Sequence, residues 1–191
     1  MSYLIFIVVI LAFAILIYNT ITNYKPVRKE KLVVSGGGYF NVPLNHEISL
    51  ISWNLGYFGL GNTMDFFYDG GIRVRPTPDE FQKSLNGILN FLAKLETIDI
   101  FLLQEIDTSS KRSYFVNEVD FINEFLPLYS YVFAKNYDVS FVPFPLREPM
   151  GKVVSGMMSL SKVKPFEAFR YPFKSHYTWP KQMFLPRRCF V

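Results

Sequence analysis

A single cysteine, Cys189, occurs in the 191 residues, which excludes an intramolecular disulfide and leaves packing to hold the fold. Histidine is almost as scarce, with only His46 and His176. The first 24 residues carry no charged side chain. The last forty carry almost no acid: Glu167 stands alone against Lys152, Lys162, Lys164, Arg170, Lys174, Lys181, Arg187 and Arg188. Internal repeats and low-complexity tracts are also absent.

Hydrophobic residues make up 50% of the chain and aromatics 18%, a composition that excludes a disordered polypeptide. The length suits one domain of ordinary size. The net charge of +4 is concentrated in the C-terminal forty residues. That basic segment is either a solvated face or a match for an anionic partner such as a phosphate ester, a nucleic acid or a lipid surface.

Residues 3–17 (YLIFIVVILAFAILI) are continuously apolar or aromatic, and about 20 such residues span a bilayer as a helix. Residues 1–24 are therefore expected to be a transmembrane anchor. The rival, a cleaved signal peptide, needs a basic start and a small-residue cleavage site, for which Thr20-x-Thr22 is a poor substitute. Lys25, Arg28, Lys29 and Lys31 follow, opposed only by Glu30, and such flanks favour a cytoplasmic body. Residues 25–45, basic and containing Gly36, Gly37 and Gly38, read as a linker, with the globular body from residue 46 onward.

Within the body, residues 47–53 (EISLISW) read as a strand running into a loop at Asn54-Leu55-Gly56. Thr77-Pro78-Asp79-Glu80 has the form of a capping box with proline at the first helical position. Phe81, Leu85, Ile88, Leu89, Leu92 and Leu95 then recur at spacings of three and four, which predicts an amphipathic helix from 78 to about 95. Residues 98–104 (IDIFLLQ) predict a buried strand, 114–125 a second helix, and 129–134, 153–160 and 168–173 three more strands. Pro143, Pro145 and Pro149 predict irregular chain between two of these. Strand, helix and strand in succession indicate a layered α/β fold.

Asn54 and Glu105 each fall at the C-terminal end of a predicted strand. If those strands are neighbours, both side chains open into one crevice. A carboxylate and an amide oxygen are hard ligands suited to Mg²⁺ or Mn²⁺, and a divalent ion there neutralises phosphoryl oxygens during ester cleavage. The plain alternative is that Asn54 is a turn residue and Glu105 a surface acid. Asp65, Asp69, Asp107 and Asp138 are further loop acids, and Tyr137 and Arg170 are candidate phosphate contacts.

Ser52-Trp53-Asn54 followed by Leu102-Leu103-Gln104-Glu105 resembles the first two signature motifs of the endonuclease/exonuclease/phosphatase superfamily. The segment from Ser155 to Ser161 (SGMMSLS) is similar to that superfamily's glycine-bearing core strand, and the likeness covers about residues 47 to 191. It implies a four-layer α/β sandwich of the DNase I-like type, a divalent metal, Mg²⁺ or Mn²⁺, and hydrolysis of phosphodiesters or phosphomonoesters by activated water. Carried over, Glu105 is the metal ligand, and Asn54 orients the metal or the scissile phosphate.

The family's Asp-x-Asn strand end and late Asp-His pair have no counterpart in this sequence. His176 follows Ser175 rather than aspartate and reads as a loop histidine rather than a general base. The expectation is therefore the N-terminal half of such a domain, its C-terminal half missing. It is either a fragment of a membrane-anchored phosphoesterase or a truncated, non-catalytic relative that acts as a membrane-tethered binding module. The phosphate-ester substrate, whether nucleic acid, lipid or small molecule, stays open.

Overall fold

Three helices and eight strands follow one another in a computed structural model that describes residues 2–39, 47–175 and 177–191. They are α1 (Ser2–Thr22), β1 (Glu30–Leu32), β2 (Ser35–Gly36), β3 (Leu50–Asn54), α2 (Pro78–Lys94), β4 (Ile100–Asp107), α3 (Glu118–Phe125), β5 (Ser130–Val142), β6 (Gly151–Ser161), β7 (Ala168–Pro172) and β8 (Cys189–Phe190).

With 21 residues at 1.5 Å each, α1 is about 31 Å long, close to the roughly 30 Å thickness of a hydrocarbon core. It is long and apolar enough to cross a membrane, and residues 2–14 are exposed. Its last turn behaves differently. Asn19 is buried, donating to the Ile15 carbonyl at 3.0 Å and accepting from the Phe141 N–H at 3.3 Å. The Trp179 indole donates to Thr20 Oγ1 at 3.2 Å. The exit end of the helix is thus seated on the body.

The expected linker is structured as far as it is described. β1 pairs antiparallel with β7 and β2 with β5. Apolar residues interleaved among the basic ones drive this, because Leu32 and Val34 drop into the core between the sheets. Gly36, at φ +80, lies so close to β5 that a Cβ would sit 2.5 Å from the Tyr129 carbonyl oxygen. The glycines that suggested flexibility serve close approach instead.

The main sheet has strand order β2-β5-β6-β4-β3, with β3 parallel to β4 and the other pairs antiparallel. Side-chain alternation assigns its faces. Phe101 and Leu103 of β4 and Met158 and Leu160 of β6 pack with Phe81, Leu85, Leu89 and Leu92 of α2 and with Ile122 of α3. On the opposite face, Val132 and Ala134 of β5 meet Leu32 and Cys189 from the small sheet β1-β7-β8. The body is a mixed α/β structure in which helices cover one face of a sheet and a second sheet covers part of the other.

Helix α2 begins as predicted, with Thr77 Oγ1 accepting from Glu80 N–H at 3.3 Å and Glu80 Oε2 accepting from Thr77 N–H at 2.7 Å. Helix α3 is shorter than expected, because Tyr114 and Phe115 adopt positive φ after a 3-10 turn. Strand β5 is longer than expected; polar Lys135, Asn136 and Asp138 mask its continuation.

Candidate functional site

In-register pairing of β3 and β4 sets Asn54 beside Gln104, so Glu105 comes one step beyond the pair. The Asn54 amide nitrogen donates to Glu105 Oε1 at 2.9 Å. Its amide oxygen accepts from Gly56 N–H at 2.9 Å, an Asx turn that fixes which way the amide points. Asn54 therefore holds the carboxylate in place.

Half-buried Glu105 owes its orientation to a β-bulge. The register between β4 and β6 runs Gln104↔Met157 and then Ile106↔Gly156, leaving Glu105 as the extra residue at φ +55. A second bulge lies on the other side of β6, where Lys135↔Gly156 is followed by Tyr137↔Ser155 and Asn136 is extra. Both flanking strands are thus bulged next to one residue of β6, Gly156: β4 between Met157 and Gly156, β5 between Gly156 and Ser155. Close strand approach makes this possible, since a Cβ on Gly156 would lie 2.3 Å from the Ala134 carbonyl oxygen. A non-glycine residue at positive φ costs on the order of 1–3 kcal/mol and persists only where its surroundings over-determine it; bulges serve to re-aim side chains near sites.

The loop after β3 adds three more positive φ values in a row, at Gly56, Tyr57 and Phe58. Tyr57 is buried, and its hydroxyl has no hydrogen-bond partner among the described residues. Burial pushes its pKa well up, against the pull of Arg112, so it remains a donor. Asn54, Tyr57, Glu105, Arg112, Asn136 and Arg188 line one cavity of about 660 Å³, within the range of small-molecule sites.

Beneath the cavity lies a buried charge network. Arg112 donates from Nε and Nη2 to the two oxygens of Asp107 at 2.9 Å each, and its guanidinium stacks 3.8 Å over the Tyr57 ring. Ser113 Oγ donates to Asp107 at 3.0 Å. Burial disfavours the Arg112 charge, but the Asp107 carboxylate outweighs it and keeps the guanidinium cationic. Arg112 Nη1 makes no hydrogen bond among the described residues and is free to meet an anionic oxygen in the cavity.

Glu118, fully buried, accepts the Asp107 N–H at 2.7 Å through one oxygen, while the other has no partner among the described residues. Burial, reinforced by Asp107, raises its pKa well above the usual carboxylate range. Once Glu118 holds a proton, Asp107 and Arg112 cancel and no uncompensated charge is buried.

Among the described residues, no group of three or more His, Cys, Asp or Glu side chains converges; His46 and His176 lie outside those residues. The donor set is the Glu105 carboxylate, its Oε2 without a partner among the described residues, with the Asn54 amide beside it. Magnesium is commonly held by one or two carboxylates, water and substrate phosphate, so these residues fit such an ion in its sparsest form.

Other candidates fall elsewhere. Asp69 and Tyr137 line the same cavity, but the Tyr137 hydroxyl donates to the Phe184 carbonyl at 2.7 Å. Asp65 accepts from Ile72 N–H at 3.2 Å within its loop, and Asp138 pairs with Lys135 at 2.5 Å. Arg170 is buried and donates to the Lys135 and Arg187 carbonyls at 2.8 and 2.9 Å, tying β7 to β5 and to the C-terminal segment. Asp107 lies behind Arg112.

Arg112, Tyr57 and Asn136 were not anticipated. The one available signal was Asp107 five residues before Arg112, a spacing too common to interpret. Comparison of the chain with family models, curated proteins and solved structures gives no match.

Proposed function

We propose that the protein is a membrane-anchored, divalent-metal-dependent phosphoesterase of the endonuclease/exonuclease/phosphatase kind, with Glu105 as metal ligand and Asn54 as its positioning residue. The observation that carries this reading is the 2.9 Å Asn54–Glu105 hydrogen bond at the cavity mouth, on a strand bulged to put the carboxylate there. The helix-covered sheet with a second sheet on its other face is compatible with a sandwich of the DNase I-like type.

Glu105, oriented by Asn54, would hold Mg²⁺ or Mn²⁺ through Oε2, and the bound ion would supply charge neutralisation for phosphoryl oxygens. The chain's own residues do the rest. Asn54 fixes the carboxylate so that no reorientation is needed on binding. Arg112, kept cationic by Asp107, offers Nη1 to a phosphate oxygen, and Arg188 adds a second cation to the same wall. Tyr57 provides a protonated hydroxyl that burial has left without a partner.

The test is hydrolysis of bis-p-nitrophenyl phosphate and of DNA by the full chain in detergent micelles, with Mg²⁺, Mn²⁺ or EDTA. Metal-dependent turnover that falls at least about 100-fold in Glu105→Ala is expected, since loss of a metal or oxyanion contact costs on that order. Turnover unchanged in Glu105→Ala refutes the proposal. A non-catalytic, membrane-tethered binding module is the second reading, favoured by the single carboxylate in the donor set; it predicts no turnover with either metal.

A further inference from the structure

A second cavity, of about 720 Å³, opens where the chain leaves α1. Asn23, Lys25 and Pro26, the residues immediately after the helix, form one wall, and Lys174, Arg187 and Arg188 line the other side. No acidic residue lines it among the described residues, and Lys25, Lys174 and Arg188 make no ion pair among them. Four cations therefore face one hollow without compensation, an arrangement that attracts a multivalent anion.

Position selects which anion. The continuous apolar run of α1 ends at Ile17 and the helix at Thr22, so residues 23–26 lie just beyond the span, on the headgroup side. Trp179, bonded to Thr20, and Tyr177, with the Lys181 ammonium 4.8 Å from its ring, are half exposed at the same end of the molecule. Indole and phenol rings beside cations are the side chains that settle at a membrane interface. The seating of Asn19 and Thr20 on the body keeps the hollow at this height rather than letting it swing away.

We infer that this cavity is a binding site for the phosphate headgroup of an anionic phospholipid whose acyl chains lie along α1. The inference rests on α1 being inserted in a bilayer and not on phosphoesterase activity: Arg188 lines both cavities, but Lys25 and Lys174 do not line the Glu105 cavity. Juxtamembrane cations each strengthen attachment to anionic lipid by about fivefold.

The test uses the full chain. Resistance of membranes to carbonate extraction establishes insertion, and native mass spectrometry from dodecylmaltoside micelles then counts retained lipid during titration with phosphatidylglycerol or phosphatidylcholine. At least a tenfold preference for phosphatidylglycerol is expected, lost in K25Q/K174Q, where two contributions of about fivefold each disappear, and unchanged in K83Q/K94Q, which removes two exposed cations from α2. Soluble glycerol 3-phosphate at equal concentration should not displace the lipid. Equal retention of the two lipids, equal loss in both double variants, or displacement by glycerol 3-phosphate overturns the headgroup site alone. Carbonate extraction of the chain overturns the insertion and the site together.

Discussion

Replacing Glu118 with glutamine isolates the buried acid beneath the cavity. Glutamine keeps an oxygen to accept the Asp107 N–H and cannot ionise, so it imitates the protonated acid. The sign follows from proton binding. Burial and the Asp107 charge raise the folded-state pKa of Glu118, so above the unfolded value of about 4.3 the folded protein holds a proton that the unfolded chain has lost. Stability then falls as pH rises, by up to about 1.4 kcal/mol per pH unit, until the raised value is passed. The variant lacks this loss. Unfolding by urea in micelles, followed by Trp53 and Trp179 fluorescence from pH 4.5 to 8, should show the stability difference, variant minus parent, climbing with pH at that slope. All other groups titrate alike in both proteins and cancel. Glu118→Leu serves as control: it too lacks the ionisable group but strands the Asp107 N–H, so it should run parallel to Glu118→Gln over the whole pH range, about 1–3 kcal/mol less stable. A variant-minus-parent difference that is flat or declines over the range refutes the assignment.

Gly156→Ala places a methyl 2.3 Å from the Ala134 carbonyl oxygen; the strands must part, and a loss of at least about 2 kcal/mol is expected in a circular-dichroism melt, with parental melting refuting the paired-bulge packing. Tyr57→Phe removes a buried hydroxyl that has no partner among the described residues, so stability should stay level or rise by about 1 kcal/mol while bis-p-nitrophenyl phosphate hydrolysis slows. A Tyr57→Phe protein that melts well below the parent shows that the hydroxyl was satisfied within the fold.

Much of the scaffold was legible because it rests on local rules. The capping box at Thr77 and the stripe from Phe81 to Leu92 specify α2 without reference to the rest of the chain, and both appear as read. The apolar run of α1 is equally self-contained. The segment around β1 and β2 was misread because its structure is borrowed: three residues and two residues pair with strands more than ninety positions away, and no local pattern announces that. Helix α3 was overextended for the opposite reason. The Lys111–Ser113 turn and the left-handed Tyr114 and Phe115 satisfy a local requirement, presenting Arg112 to Asp107, that apolar periodicity does not encode.

The site itself turns on one inserted residue. Along β4, Phe101 and Leu103 point into the helix-covered core, and strict alternation would send residue 105 the same way. A carboxylate would then be buried beside Leu103 without a partner, at a cost of several kcal/mol. The bulge breaks the alternation: Ile106 takes the inward place, and Glu105 is released to the mouth of the cavity, where Asn54 receives it. The sequence Leu103-Gln104-Glu105-Ile106 carries this as a conflict, a charge at a core position followed at once by a branched apolar residue. Strand-end motifs point to Asn54 and Glu105 as a pair, but the pairing works only because β4 departs from the regular strand that the motif suggests.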